Sequence, residues 1–276
     1  MQLSLSGRIA EAEHSKEHAA LDFASVAQLA ASIGFEAVCV RPSQLTIDDP
    51  VEHAREMRAT LNQHGLVASM ITPDARVARQ GSDPDANALL HQIGPALRLA
   101  SVLGAGLVRV AIKGEEDIPR AQRAADEARE HGIRLVHQNH TATPFETVAG
   151  CREMVGRIDR SNFGLSIEPA NFVLCGEDYG LSALKPLGPH IFNVYVQNLR
   201  ITPDGTSEID TRQGIVRYER LVVGDPAGID LPQFFDGLAA VGYNGFVTTH
   251  QPAIEGLTER ELAQRVYDGL APFVRS

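Results

Sequence analysis

Residues 241–250 read VGYNGFVTTH, and the order of residue types in this stretch decides the fold. A glycine follows an amphipathic segment, and a short apolar run with β-branched residues follows the glycine. Glycine is the residue that closes a helix in the left-handed conformation, and a β-branched apolar run is what a buried strand requires. The same phrase occurs as IGFEAVCVR (33–41), HGLVASMIT (64–72), LGAGLVRVAIK (103–113), HGIRLVHQ (131–138) and LGPHIFNVYVQN (187–198). Two more runs, LSLSG (3–7) and FGLSIE (163–168), lack the preceding glycine but have strand character. Together these make eight strands.

The segments between them carry helical periodicity. In DFASVAQLAASI (22–33), Phe23, Val26, Ala27, Ala30 and Ile33 fall on one stripe. DPVEHAREMRATLNQH (49–64) is read as opening on an acidic N-cap with a proline in the first turn. DIPRAQRAADEAREH (117–131), TPFETVAGCREMVGRI (143–158), DLPQFFDGLAAV (230–241) and LTERELAQRVYDGL (257–270) behave likewise. Strands alternating with helices imply parallel pairing through crossovers. Eight such units in 276 residues with no break in composition fit a single (β/α)8 TIM barrel spanning 1–276. The long connection at 199–228, which carries RITPDGTSEIDTRQG, is expected to be either a disordered insertion or a lid.

Composition narrows the functional classes. A formal charge of −10 opposes a nucleic-acid surface, which needs clustered Lys and Arg. Hydrophobic residues at 43% allow a large core, yet no run approaches the ~20 apolar residues of a membrane span. Cys39, Cys151 and Cys175 are odd in number and widely spaced, so neither a disulfide framework nor a zinc knuckle is expected. The first residues lack a charged region followed by an apolar one. Together these features lead us to expect a cytoplasmic protein with reduced thiols and a small-molecule partner. A homo-oligomer is compatible with all of them.

In a barrel of this kind chemistry sits at the C-terminal strand ends, and alternation selects the inward residues. The inward sets are Arg109, Ala111 and Lys113; Arg134, Val136 and Gln138; Ser166 and Glu168; Asn193, Tyr195 and Gln197; and Phe246, Thr248 and His250, with Arg41 ending the second strand. The last inward positions form a polar ring of Arg41, Lys113, Gln138, Glu168, Tyr195 or Gln197, and His250. Glu168 and His250 are acid/base candidates, and His140 joins them two residues past the fifth strand. Gln197 is a candidate for binding hydroxyls, and Arg41 and Lys113 for an anionic end of a substrate. Arg200 and Arg212 lie in the long connection, where solvated positions are expected. His14 and His18 have the i, i+4 spacing of a helical metal pair, but an exposed helical face is the simpler reading.

The motifs GYNGFVTTHQP (242–252), VVGDPAGIDLPQFFDGLAAVGY (222–243), LSIEPANF (165–172) and HQNHTATPFETV (137–148) resemble the later strands of the xylose isomerase-like barrels. That superfamily includes sugar isomerases, epimerases and endonuclease IV. The resemblance covers essentially the whole chain and implies a divalent metal held by Glu, Asp, His and Glu from strands five to eight. The corresponding positions here are Gln138, Glu168, Tyr195 or Gln197, and His250. Asn171 stands where the family often has a His three residues after the sixth-strand acid, which implies a contact with a substrate hydroxyl. Only Glu168 keeps an acid, so one formal charge replaces three, and affinity for Mn, Mg or Zn is expected to be much weaker. With Gln138, Glu168 and His250 as the metal candidates, the resemblance implies proton transfer next to the carbonyl of a small sugar or sugar acid. Two alternatives remain: a metal-independent lyase or dehydratase using His140, Glu168 and His250 directly, or a non-catalytic binding barrel.

Overall fold

The computed structural model describes residues 1–12, 15–79 and 83–274. Eight strands close a parallel barrel: β1 Gln2–Ser6, β2 Ala37–Val40, β3 Val67–Ile71, β4 Leu107–Val110, β5 Arg134–Gln138, β6 Phe163–Ile167, β7 Ile191–Val196 and, after three strands of an insertion, β11 Phe246–Thr249. Closure is between β1 and β11, where Leu3 pairs with Val247 and Ser4 with Thr248. The insertion strands are β8 Asn198–Ile201, β9 Ser207–Thr211 and β10 Gly214–Leu221, which form an antiparallel sheet in the order β8-β10-β9.

The helices are α1 Phe23–Ile33, α2 Val51–Gln63, α3 Ala75–Ala78, α4 Gly94–Leu103, α5 Ile118–Glu130, α6 Val148–Ile158, α7 Pro169–Leu174, α8 Leu181–Leu184, α9 Leu231–Ala240 and α10 Glu259–Val274. Local chemistry sets their ends. The Asp22 side chain accepts from the Ser25 amide to start α1, and Gly34 ends it at φ 111°. Gly188, by contrast, opens a short 3-10 turn rather than capping a helix. The second helix starts later than its acidic residues imply: Pro50 is its N-cap, and Asp49 accepts from the amide and hydroxyl of Thr46 instead. Likewise α6 begins at Val148, not at residue 143. The Thr143 hydroxyl is engaged with the His140 carbonyl at 2.7 Å, and Thr147 supplies the cap.

One large apolar core joins strands to helices, and the interior of the barrel holds its own packing. Cys39, Met70, Leu107, Val136 and Tyr195 fill its middle. A polar belt accompanies them: Ser4 meets Ser69 at 2.7 Å, Asn193 donates to Ser166 at 2.7 Å, and Thr248 donates to Asn193 at 3.0 Å. Ser69 can join this belt because the β2–β3 register skips one residue between Val38 and Cys39. The plug closes the barrel from below, so the inward residues above it line an open mouth at the C-terminal strand ends.

The connection at 199–228 is an ordered lid. Ile209, Asp210, Tyr218 and Arg220 from its sheet line the cavity over the mouth. Its base is pinned by Asn198, which donates to the carbonyls of Val222 and Asp225 and accepts from the Ile229 amide at 2.7 Å. Among the described residues no helix is long and apolar enough to cross a membrane.

Candidate active site

The mouth holds a cavity of about 430 Å3. Of the residues expected from strand alternation and the loops that follow, Arg41, Gln138, His140, Glu168, Asn171, Gln197 and His250 all line it, joined by Arg109. Glu168 and His250, which are far apart in the chain, therefore face a common space. The ambiguity in the seventh strand resolves by height: Tyr195 is fully buried in the plug and Gln197 is at the rim.

Glu168 ends β6, and two asparagines fix its place. The Asn139 side chain accepts from the Glu168 amide at 2.7 Å and donates to the Glu168 carbonyl, tying the end of β5 to the end of β6. Asn171 donates to the Asn139 carbonyl at 2.7 Å and reaches Glu168 Oε2 at 3.4 Å. Gln138 donates from Nε2 to the same Oε2, while Oε1 is buried with no hydrogen-bond partner among the described residues. Burial pushes the Glu168 carboxyl up to about 7, against the opposing pull of Arg8, Arg109, Gln138 and Gln197. The Gln197 side chain approaches it without a hydrogen bond of good geometry. A carboxylate held near neutrality with one unengaged oxygen is suited to proton transfer.

The two histidines stay neutral at pH 7. Burial, with Arg8, Arg41, Arg109 and Lys16 adding repulsion, holds His250 well below the usual imidazole range. Its ring stacks on Tyr195 at 4.1 Å, and Nδ1 is buried without a partner among the described residues. His140 is lowered to about 4, chiefly by burial. Its Nδ1 lies 3.1 Å from the Thr141 carbonyl, which can only accept. That bond places the hydrogen on Nδ1 and leaves Nε2 as the acceptor.

Lys113 stands back from the cavity wall, although its charge reaches His140. It does not line the cavity, because β4 ends at Val110 and alternation fails beyond it, and the Lys113 amide turns to the Asp117 carboxylate at 2.8 Å. Arg134, at the other end of β5, is exposed and lies over the Phe192 ring at 4.6 Å. Arg200 and Arg212 are exposed and off the cavity. His18 is also exposed, but not on a helix: the Ser15 hydroxyl accepts from the amides of Glu17 and His18, and Ala12 donates to the His18 carbonyl. His14 lies outside the described residues.

The structure adds cations that strand alternation did not reach. Arg8 and Lys16 come from the connection after β1, and Arg79 and Arg220 complete the rim. Arg41 donates from Nε to Glu11 Oε1 at 2.8 Å, and Lys16 meets Glu11 Oε2 at 3.1 Å. Strand-end logic applied to β1 points to Arg8, two residues past Ser6. Alternation along β10 from the buried Tyr218 points to Arg220.

These donors do not fit a divalent cation. At Gln138, Glu168 and His250 there is one carboxylate, already accepting from the Gln138 amide, and a neutral imidazole. Arg8, Arg41, Arg109 and Lys16 all act electrostatically on His250. A hard dication needs several anionic oxygens and is repelled by such a wall. Among the described residues no group of three or more His, Cys, Asp or Glu side chains converges as a metal-ligand cluster.

Comparison with known proteins agrees with the architecture. No curated protein matches the chain by sequence. Among solved structures, the crystal structure of IOLI protein with a binding zinc atom superposes with a TM-score of 0.74 at 17% identity, covering 99% of this chain and 98% of that one. The probable 3-DHS dehydratase AsbF, involved in petrobactin synthesis in Bacillus anthracis, gives 0.70 at 16% identity, with 97% and 98% covered. A D-psicose 3-epimerase in the presence of D-fructose gives 0.66 at 14%, with 96% and 90% covered. Likenesses at such identities speak for the fold alone. The sequence profile of the xylose isomerase-like TIM barrel matches residues 27–265, and the chain belongs to that family.

Proposed function

We propose that the protein is an enzyme of isomerase or epimerase type, acting on a small polyhydroxylated carbonyl compound by proton transfer at the carbon next to the carbonyl. The observation that carries this reading is Glu168, fully buried at the mouth, pushed up to about 7 and with Oε1 unengaged. Asp210, the other carboxylate lining the cavity, is exposed on the lid. A volume of about 430 Å3 lies within the range of small-molecule sites.

In this mechanism Glu168 takes the proton from carbon, and the electron pair moves onto the carbonyl oxygen. Arg109 stabilises the oxygen charge that develops. His140 Nε2 accepts the proton of the neighbouring hydroxyl and delivers it to the former carbonyl oxygen, and Gln138, Asn171 and Gln197 orient the remaining hydroxyls. Return of the proton from Glu168 to the adjacent carbon completes an isomerisation. Protonation of the opposite face by water, with Glu168 releasing its proton to solvent, gives an epimer, and transfer of the proton held by Glu168 to a departing β-hydroxyl gives a dehydration with loss of water. The donor set favours a metal-independent course, since no step needs a cation other than the guanidiniums.

The test is wash-in of solvent deuterium into ketoses, aldoses and keto sugar acids followed by mass spectrometry. One deuterium at the carbon next to the carbonyl is expected with the wild-type protein and none with Glu168→Gln. Exchange that persists in Glu168→Gln, or its absence from every compound with the wild type, overturns the reading. Loss of water from the labelled product identifies the dehydratase course.

A further inference from the structure

The geometry points to an oxyanion site at this mouth, built by Arg8 and Arg41 on the β1 and β2 side of the cavity with Arg109 of β4 beside them. The ligand it takes is a polyol bearing a carboxylate or phosphate. The inference rests on this mouth being the substrate site, and it names the substrate class.

Among the described residues six cationic side chains line the space; Arg79 is held by Glu17 and Asp83 at the rim, while Arg8, Lys16, Arg41 and Arg109 are answered by Glu11 and Glu168. This cluster of guanidiniums sits inside a chain whose formal charge is −10. Glu11 is occupied on both oxygens, by Arg41 and by Lys16. Arg41 is about 1% exposed and yet keeps Nη1 without a hydrogen-bond partner among the described residues, and Arg8 keeps Nε so. Arg109 is equally buried on the inward face of β4. Its charge is disfavoured first by burial and then by Arg41.

Buried guanidiniums that repel one another are costly unless an anion joins them. Their planar forks match the two oxygens of a carboxylate or phosphate, which a compact dication cannot exploit. The neutral His140 and His250 add no opposing charge. The lid brings Arg220 and Asp210, which cancel.

The test uses the full chain after dialysis against chelator, with calorimetry and thermal melting in inorganic phosphate, sodium D-gluconate, MnCl2 and ZnCl2. Phosphate or gluconate is expected to bind and raise the melting temperature. Arg41→Met and Arg8→Met are each expected to weaken that binding by about tenfold or more, and Arg200→Met on the exposed lid surface to leave it unchanged. Should Arg41→Met fail to fold, the half-buried Arg8→Met carries the test. Stronger binding of phosphate identifies a phosphorylated ligand, and stronger binding of gluconate a sugar acid.

The inference is overturned if neither anion binds, if the Arg8 and Arg41 variants bind the anion as tightly as the wild type, or if Mn or Zn binds stoichiometrically and is lost in Glu168→Gln. Anion binding without deuterium wash-in for any substrate would keep this site and remove the catalytic reading. Wash-in without anion binding would do the reverse.

Discussion

Arg41 and Glu11 form a buried ion pair, Nε to Oε1 at 2.8 Å, with Arg41 at the end of β2 and Glu11 in the connection after β1. The pair ties two neighbouring strand ends across the mouth and decides where a guanidinium with a spare Nη1 is held.

Replacing Glu11 by Gln therefore leaves Arg41 buried without its counter-charge, and a loss of about 3 kcal/mol in urea unfolding at pH 7 is expected. The sign with pH is fixed. Burial acts to raise the Glu11 carboxyl, but Arg41, Lys16 and Arg8 together hold it below the ordinary value of 4.5. Its contribution is present above the unfolded value and lost as pH falls through the folded one. The gap between wild type and Glu11→Gln should narrow in acid. Phosphate should stabilise the variant more than the wild type, because the orphaned Arg41 then gains an anion. A gap that is constant from pH 7 to pH 3 would refute the pairing.

Glu168→Gln is expected to stabilise the protein while abolishing exchange. Burial raises the folded value from 4.5 to about 7, so the charged form is the unfavourable one. The wild type is most favoured below the unfolded value and loses about 3 kcal/mol as pH rises through about 7. The neutral isostere has no such loss, so its advantage should be full at pH 8 and vanish near pH 4. Equal stability at pH 8 would show that the carboxylate is compensated in the folded state.

Much of this site is legible from strand alternation, and its failures have local causes. Gln138, Glu168, Gln197 and His250 are found because β5, β6, β7 and β11 keep period two up to their ends. Lys113 is not on the cavity wall because β4 stops at Val110, and by Lys113 the backbone has turned to donate to Asp117. Lys16 and Glu11 lie in an irregular connection with no period, and their roles come from an ion-pair network that only folding assembles. Asn139 is hidden for a different reason: it faces the neighbouring strand end rather than the cavity and acts through the Glu168 backbone.

The pH profile of deuterium wash-in should rise through about 7 and then level, since Glu168 must be unprotonated to take a proton. His140, lowered to about 4, and His250, lower still than its usual value, should contribute no limb near neutrality. Lys16 is the competing group, pushed down to about 7 by burial and by Arg8. Lys16→Met separates the two. A limb that survives in this variant belongs to Glu168, and a limb that disappears with it assigns the titration to the lysine.

Gly205 offers a way to disturb the lid while sparing the barrel. It lies in the turn between β8 and β9, and a Cβ there would stand 2.5 Å from the backbone of Tyr218 on β10. Backbone cannot swing aside as a side-chain tip does, so Gly205→Ala must shift β10 against its neighbours, at a cost of about 1–3 kcal/mol. Tyr218 and Arg220, which close the cavity from above, move with it. Faster amide exchange is expected in residues 198–221, with protection in β1 to β7 retained. KM should rise several-fold while the deuterium wash-in rate at saturating substrate stays close to that of the wild type. The barrel positions Glu168 without the lid, through Asn139 and Asn171, which is why chemistry and closure should separate. A fall in the saturated rate with unchanged KM would instead place Tyr218 or Arg220 in the reaction itself.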